Sequence, residues 1–303
     1  MSTRPRERGW PPAPGPLRVA VVDNHTHLDA IAGVLPAGEA APSVADELAR
    51  AAAVGVDALV QIGCDLDAAP WSVDVARAHR AVVAGVAIHP NEAVLHAGVR
   101  EVAPDGLEPD PQPRHEVGLD EAIARIADLA RDARVRVVGE TGLDFFRAGD
   151  AGRAAQRESF RAHIALAKEL GLPLQIHDRD AHQDVLDVLD ADGAPDVTVF
   201  HCFSGDAAFA RVCAERGWYL SFAGPVTFRA NDALRDAVAS VPLRQILVET
   251  DAPFLTPHPY RGRPNAPYLL PHTVRMIAQV RREEADDVAA AVAATSARLY
   301  GPW

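Results

Sequence analysis

Short apolar segments alternate with longer segments of helical periodicity along almost the whole of this 303-residue chain. The apolar segments number eight and lie at residues 17–23, 56–63, 81–88, 135–139, 172–176, 197–200, 218–222 and 245–248. Each is continuously apolar instead of alternating with polar residues, which is typical of parallel strands that are covered on both faces. This pattern argues against folds that are built from helices alone or from antiparallel sheets.

The segments between these predicted strands have the periodicity of amphipathic helices. They include residues 43–53, 119–131, 155–170 and 207–216, and a last segment, 271–298, that predicts two helices or one interrupted helix. Eight strand–helix units in a chain of this length indicate an α/β fold, a (β/α)8 barrel of the TIM type, because such a barrel takes about 250 residues.

The segments outside this alternation indicate where a tail and an insertion flank or interrupt the barrel domain. Residues 1–16 are rich in arginine and proline, and we expect a disordered tail there. We expect a single barrel domain at 17–303, with an acidic, proline-rich insertion at about 96–117. In a barrel this insertion would follow the third strand on the face that carries active sites, either as a solvated loop or as a partial lid.

Titratable side chains follow several of the predicted strands directly. His25 and His27 end the first strand, and residues i and i+2 of a strand project from the same face. The other strands that end in this way are the fourth, fifth, sixth and eighth, which are followed by Glu140, His177, His201 and Asp251. Because active sites of barrels lie at the carboxyl ends of the strands, four histidines and two carboxylates should converge on one rim.

Six ligands of this kind exceed what one tetrahedral ion with an open position needs. They suit two divalent ions, about 3.5–4 Å apart, that share a carboxylate. Mixed nitrogen and oxygen donors admit magnesium, manganese, cobalt or zinc, and we expect no thiolate to select zinc. Cys202 follows His201, and strand alternation predicts a buried thiol on the opposite face. His89 and Glu249 are expected to support the ligands without binding an ion.

Seven segments resemble, in the same order, the motifs of the TatD family of metal-dependent deoxyribonucleases, which are amidohydrolase-like TIM barrels. They are DNHTHLD at 23–29, IHP at 88–90, GETGLDF at 139–145, QIHDRDA at 175–181, HCFSG at 201–205, ETDAPFLTP at 249–257 and RGRPNAPYLLPHTV at 261–274. The resemblance implies two groups of metal ligands: His25, His27, Glu140 and Asp251 for one ion, and Glu140, His177 and His201 for the other. Glu140 would bridge the two ions.

The resemblance also implies an activity. The expected enzyme hydrolyses phosphodiester bonds in DNA, with RNA as a further substrate, as a 3′–5′ exonuclease that uses a metal-activated water. Asp251 would be the general base and Glu140 the second catalytic carboxylate. A hydrolase of an ester or amide, such as an aminoacyl-tRNA deacylase or a lactonase, is the alternative, because the same ions serve both reactions and specificity lies in loops. A metal-binding scaffold without activity is disfavoured by the presence of Asp251.

Three further residues are candidates for contact with the substrate. Arg179 could bind a phosphate, or it could form an ion pair with Asp178 or Asp180. Ser204 could bind a phosphate, or it could be the N-cap of the following helix. Asn265 lies in the long loop after the last strand, where it would touch substrate or fix the loop.

The net charge of −12 and the three cysteines limit the partners and the location that we expect. An acidic protein is a poor candidate for broad coating of nucleic acid or of a membrane, but a local metal site can still bind DNA ends or short oligonucleotides. An odd number of cysteines without a CxxC spacing favours a reducing, cytoplasmic setting. No apolar segment approaches the roughly 20 residues that cross a bilayer. We expect no obligate protein partner.

Overall fold

The computed structural model describes residues 9–36 and 38–303, so residues 1–8 of the expected tail lie outside the described residues. Eight strands form one parallel sheet in which they follow one another in chain order. The strands are β1 (Val21–Thr26), β2 (Val56–Gly63), β3 (Val82–Val86), β4 (Val135–Asp144), β5 (Leu174–Arg179), β6 (Thr198–Phe200), β7 (Tyr219–Phe222) and β8 (Ile246–Val248). Each of the eight apolar segments therefore overlaps a strand, and β1, β4 and β5 extend beyond the predicted segments.

Helices connect the strands and cover the outside of the sheet. They are α1 (Ile31–Val34), α2 (Val44–Ala52), α3 (Ala68–Ala78), α4 (Pro90–His96), α5 (Leu119–Leu129), α6 (Asp150–Leu170), α7 (His182–Asp192), α8 (Ala207–Glu215), α9 (Asp232–Ser240), α10 (Leu270–Arg281) and α11 (Ala285–Tyr300). The last helical segment is thus two helices, which separate at Arg282, where φ is 57°. In the described part of the chain, no helix combines the length and the apolarity that crossing a membrane requires.

Backbone hydrogen bonds between the two ends of the sheet bring it close to a closed barrel. The amide of Asp251, just after β8, donates to the carbonyl oxygen of His25 at 3.0 Å. The amide of His27 donates to the carbonyl oxygen of Ala252 at 2.7 Å. The predicted TIM barrel is confirmed, and its closure places the end of β1 directly beside the residues that follow β8.

The strands are buried on both faces, as their continuous apolar sequence predicts. Consecutive residues separate into two apolar clusters: Val60 and Ile62 belong to one, while Leu59 belongs to the other. This separation follows from the alternation of side chains along a strand, which directs one set to the barrel interior and the other to the helices. The polar residues that follow the strands are therefore held at the rim of a rigid, close-packed core.

Residues 9–16 belong to the expected disordered tail, but the structure shows them against the barrel. The Tyr268 hydroxyl donates a hydrogen bond to the carbonyl oxygen of Pro11 at 2.6 Å. The Arg275 guanidinium donates to the carbonyl oxygen of Gly15 at 2.5 Å. Side chains of the barrel therefore bind backbone carbonyls of this segment, although it has no apolar pattern. The expectation of a disordered tail at 1–16 stays a prediction.

The insertion at 96–117 lies between α4 and α5 and contains one short 3-10 helix, Pro113–Glu116. Arg114 donates two hydrogen bonds to the carboxylate of Glu92 in α4, at 2.7 and 3.0 Å. Glu101 accepts a hydrogen bond of 2.7 Å from a backbone amide in the first turn of α6. The insertion is therefore held against the outer helices. The expectation of one domain over residues 17–303 stays a prediction.

Candidate metal centre

The six predicted ligands meet at the carboxyl ends of the strands, beside a cavity of about 640 Å³. Five of them line the cavity, and His25 is fully buried next to His27. Four of the six are buried, while His177 and Asp251 are half-buried. The rule that placed titratable groups at the ends of five of the strands therefore brings all six side chains to one place.

His25 and His27 have their Nε2 atoms 3.0 Å apart. Nδ1 of His25 lies 2.8 Å from Oε1 of Gln175, and Nδ1 of His27 lies 3.2 Å from the carbonyl oxygen of Ile62. The Gln175 amide is oriented because its Nε2 atom donates to the carbonyl oxygen of Asn24 at 2.9 Å. In the neutral rings both Nδ1 atoms therefore carry the hydrogen, and the two Nε2 lone pairs face each other. A cation between them relieves this repulsion, so the donor set fits a metal ion.

The two carboxylate oxygens of Glu140 face different pairs of histidines. Oε1 lies 3.5 Å from Nε2 of His25 and 3.3 Å from Nε2 of His27. Oε2 lies 3.0 Å from Nδ1 of His177 and 2.7 Å from Nε2 of His201. Burial opposes ionisation of this carboxyl, but the surrounding histidines hold its pKa well below the usual value. Glu140 is therefore a carboxylate with one oxygen directed at each pair.

Asp251, which follows β8, lies beside the first pair of histidines, His25 and His27 of β1. Its Oδ1 atom lies 3.8 Å from Nε2 of His25 and 3.5 Å from Nε2 of His27. Its φ of 51° is left-handed, which turns the chain sharply after β8. Burial opposes ionisation of this carboxyl too, but the hydrogen bond with His27 and the nearby rings lower its pKa. Asp251 is thus a carboxylate that borders both the histidines and the open cavity.

Three acidic or amide side chains hold the ligands in place. Glu249 lies 3.3 Å from Nδ1 of His201, as expected of a supporting residue. Asp144 lies 3.3 Å from Nε2 of His177, and Gln175 holds His25. The sequence reasoning missed Asp144 and Gln175. It contained a signal for Gln175, which is two residues before a ligand on the same strand and so faces the same side.

His89 reaches the same centre without being oriented as a ligand. Its Nε2 atom lies 3.8 Å from Oε2 of Glu140, and its Nδ1 atom accepts a hydrogen bond of 3.0 Å from the amide of Asn91 at the start of α4. Burial lowers the pKa of His89 to about 4, so the ring is neutral. With Nδ1 as an acceptor, Nε2 carries the hydrogen and directs it toward Glu140. The structure therefore favours the expected supporting role.

Two cysteines lie beside the centre, but burial raises the pKa of both thiols, so neither is a thiolate that would select zinc. Cys202 was predicted to point away, but it lines the cavity. Strand β6 ends at Phe200 and Cys202 has a φ of 40°, so strand alternation no longer applies. Cys64 forms a group with His27 and Glu140 in which the potential ligand atoms all lie within 4.8 Å of one another. Cys64 follows β2 directly, so the rule that found the other ligands also finds it.

Two of the three candidate substrate contacts line the cavity. The Arg179 guanidinium lies 3.8 Å from the centre of the Phe146 ring, so an aromatic ring, and neither neighbouring aspartate, is its partner in the described part of the chain. Ser204 donates a hydrogen bond of 3.2 Å to the carbonyl oxygen of Asp178. The N-cap of α8 is Asp206, so Ser204 does not have that role.

Asn265 was expected to touch substrate or to fix the loop after β8, and its hydrogen bonds favour the second role. The side chain is fully buried. Its Nδ2 atom donates to the carbonyl oxygens of Thr250 at 2.9 Å and Phe254 at 2.6 Å, and its Oδ1 atom accepts from the amide of Ala266 at 3.0 Å. Because its donors and its acceptor are used within the protein, Asn265 fixes the loop after β8.

Replacing Asn265 with alanine is therefore expected to act on stability. The change leaves buried carbonyl oxygens without a donor, which costs about 1–3 kcal/mol of the free energy of unfolding. Urea denaturation of the metal-free protein measures the loss. Ser204→Ala is the matched control, because this exposed side chain should change the free energy by no more than about 0.5 kcal/mol. An unaltered stability in Asn265→Ala, with weakened substrate binding, would restore the original prediction.

The rest of the cavity wall is largely apolar. Its side chains come from the segment after β6, from the region between β7 and α9, and from the loop after β8; they include Phe203, Pro225, Ala230, Leu234, Phe254 and Leu255. None of the described residues of the 96–117 insertion lines the cavity, so the contacts favour a solvated insertion over a lid. The cavity thus has a polar, metal-binding floor and an apolar side.

Comparison with known proteins identifies the group to which this architecture belongs. The family described as TatD related DNase matches residues 22–301. An uncharacterized metal-dependent hydrolase TatD from Mycobacterium tuberculosis is 44% identical over 285 residues, which cover 93% of this chain and 98% of the relative. A protein named 3′-5′ ssDNA/RNA exonuclease TatD from Cronobacter sakazakii is 34% identical, over 84% of this chain and 90% of its own length.

The solved structures agree with the sequence comparisons. The crystal structure of YJJV, a TatD homologue from Escherichia coli K12, superposes with a TM-score of 0.77 at 26% sequence identity and covers 93% of this chain and 98% of its own. The barrel, the cluster of histidines and carboxylates, and the match over almost the whole chain lead to one conclusion. The chain belongs to the TatD-related DNase family and is a metal-dependent hydrolase.

Proposed function

We propose that the protein is a two-metal phosphodiesterase that removes nucleotides from the 3′ end of DNA or RNA. The observation that carries this proposal is the orientation of the Glu140 carboxylate, whose two oxygens face two different pairs of histidines. A carboxylate in this position suits a bridge between two divalent ions. The name of the Cronobacter relative supports single-stranded nucleic acid as the substrate class and the 3′ end as the point of attack.

The residues divide into two ligand groups under this proposal. His25, His27, Glu140 and Asp251 hold one ion, and Glu140, His177 and His201 hold the other. Divalent ions bound here supply positive charge to the phosphoryl oxygens and lower the pKa of water. Nitrogen and oxygen donors suit Mg²⁺, Mn²⁺ or Zn²⁺. Cys64 lies beside the first group of ligands, but burial raises the pKa of its thiol to about 12, so it supplies no thiolate that would select zinc.

Asp251 is the proposed general base. It is ionised, it lines the cavity, and it lies beside the ligands of the first ion. In this position it accepts the proton of the water that attacks phosphorus and returns a proton to the leaving oxygen. Arg179 and Ser204 border the same cavity and bind the non-bridging oxygens of the phosphate.

A metal-reconstitution assay tests the function. The protein is stripped with a chelator, dialysed, and supplied separately with Mg²⁺, Mn²⁺ or Zn²⁺. Single-stranded DNA and RNA, labelled at the 5′ end, should shorten progressively only after a metal is restored. A phosphorothioate linkage at the 3′ end should stop the reaction, whereas the same linkage at the 5′ end should not.

A panel of carboxylic esters, a lactone and an aminoacyl-tRNA forms the control arm of this assay. These compounds are substrates for the alternative function, a hydrolase of esters or amides that would use the same ions. Intact nucleic acid together with metal-dependent cleavage of a carbonyl substrate would replace the nuclease proposal with the alternative. Cleavage from the 5′ end would leave the nuclease assignment and overturn the polarity.

A further inference from the structure

Large apolar side chains are concentrated at the mouth of the cavity. Among residues 9–36 and 38–303, five such side chains are exposed: Val102, Leu107, Phe146, Phe254 and Leu255. Phe254 is 46% exposed and Leu255 is 37% exposed, and both line the cavity. The Phe146 ring packs against the guanidinium of Arg179, and Arg179 also lines the cavity. Removing apolar surface from water is favourable by about 25 cal/mol per Å². Adjacent exposed apolar residues at a binding cavity therefore indicate a ligand that covers them.

The backbone that carries Phe254 and Leu255 is firmly held. The amide of Phe254 donates to the carbonyl oxygen of Asp251 at 2.9 Å, and its own carbonyl oxygen accepts from Asn265 at 2.6 Å. Leu255 packs so closely on Gly224 that a Cβ atom at Gly224 would lie 2.0 Å from the carbonyl oxygen of Leu255. The exposure of the two side chains is therefore built into the loop, and the Phe254 ring is a preorganised surface.

The Phe254 ring lies next to the metal centre. Its centroid is 6.2 Å from the centroid of the His27 ring. A phosphate bound at the centre therefore places its own nucleotide, or the adjoining one, against this ring. The cavity volume of about 640 Å³ falls within the range of about 300–1,000 Å³ that is usual for small-molecule sites. This volume suits an unpaired nucleotide at a strand end.

The wall that completes this part of the cavity is mostly apolar; the polar side chain within it is Asn231, whose Nδ2 atom donates to the carbonyl oxygen of Pro225 at 3.0 Å. Pro225, Ala230 and Leu234 contribute apolar surface. Every nucleobase has an aromatic face, so a base held between a phenylalanine ring and an apolar wall is bound with little regard to its identity. This composition points to recognition by stacking.

We propose that Phe254, together with Leu255, forms a stacking subsite for the unpaired nucleobase at the end of the substrate strand. This inference rests on the proposed nuclease function and deepens it. The substrate is a strand whose terminal nucleotide carries a base and is not paired, and the enzyme accepts any of the bases there.

The test compares two single-stranded oligonucleotides that differ only in the 3′-terminal residue, which is a normal nucleotide in one and an abasic analogue in the other. The wild-type enzyme should prefer the normal end by roughly tenfold in kcat/KM, the size of a stacking contact. In Phe254→Ala this preference should fall toward unity, mainly through a higher KM for the normal end. Phe254→Trp should restore the preference, because it restores an aromatic face.

Val102→Ala is the matched control, since Val102 is 51% exposed and lies in the insertion, outside the cavity lining. A second measurement does not need turnover: 2-aminopurine at the 3′ end should lose fluorescence when it binds to Asp251→Asn enzyme, and this quenching should be absent when Phe254→Ala is added. Equal cleavage of both oligonucleotides by the wild type, or an unchanged preference in Phe254→Ala, overturns the subsite while the nuclease function stands. Failure of the wild type to cleave either overturns the proposed function itself.

Discussion

Replacing Asp251 with asparagine is expected to lower kcat by about 100- to 10,000-fold, which is the contribution of a well-placed general base. Asparagine has nearly the same shape and keeps an oxygen that can face the first ion, but it does not accept a proton at neutral pH. The backbone amide of residue 251 should still donate to His25, so the closure of the barrel is preserved. The loss should therefore fall on kcat, while the melting temperature stays close to that of the wild type.

The assay is release of nucleotides from single-stranded DNA at saturating metal, together with the metal content of the purified variant. Asp206→Asn is the matched control. Asp206 is another carboxylate that lines the same cavity, but its side chain caps α8 by accepting from the amides of Ala208 and Phe209. Asparagine caps a helix as well as aspartate does, so this control should remain active. Full activity in Asp251→Asn would remove the proposed base.

Replacing Glu140 with glutamine is expected to reduce the bound metal from two ions per chain to one or none, and to lower activity at least about 100-fold. In the wild type each carboxylate oxygen faces a pair of imidazole nitrogens. The glutamine side chain offers one oxygen and one NH2 group, so one of the two pairs would face hydrogen-bond donors instead of an acceptor. That side of the centre would lose both its negative charge and its ligand.

The metal content is measured by mass spectrometry after chelation, reloading and gel filtration. Glu249→Gln is the control, because Glu249 contacts His201 and the amide of Cys202 but is not a ligand. In that variant we expect metal affinity to weaken by about 10–100-fold, while two ions still bind at saturation. Two ions retained with wild-type affinity in Glu140→Gln would show that Glu140 does not bridge them.

Most of the fold could be predicted from the sequence because the same pattern, an apolar segment followed by a segment of helical periodicity, repeats along the chain. Each strand of a parallel barrel is buried on both faces, so eight continuous apolar segments mark eight strands, and helical periodicity marks what lies between them. The ligands were accessible for a related reason, since parallel strands present their carboxyl ends on one rim. His25 and His177 lie toward the carboxyl ends of β1 and β5, and Asp251 follows β8, so three distant parts of the chain meet at the centre.

Sequence reasoning was least informative for residues whose surroundings depend on the tertiary structure. Cys202 was placed by strand alternation, but the strand ends two residues earlier. Asn265 was expected to touch substrate or to fix its loop, and the hydrogen bonds that favour the second role are made within the loop after β8 and to Thr250. Residues 9–16 have no apolar pattern, and side chains from the far end of the chain hold them.

By itself, the sequence determined the barrel, the rim on which the chemistry lies and the six side chains that form the centre, because periodicity and strand ends are local properties. Only the tertiary structure decided how those side chains face one another. The tautomers of His25 and His27 depend on hydrogen bonds to Gln175 and Ile62, and the two directions of the Glu140 carboxylate depend on the distance between two pairs of histidines. Such contacts join residues that are far apart in the chain, so no local pattern encodes them.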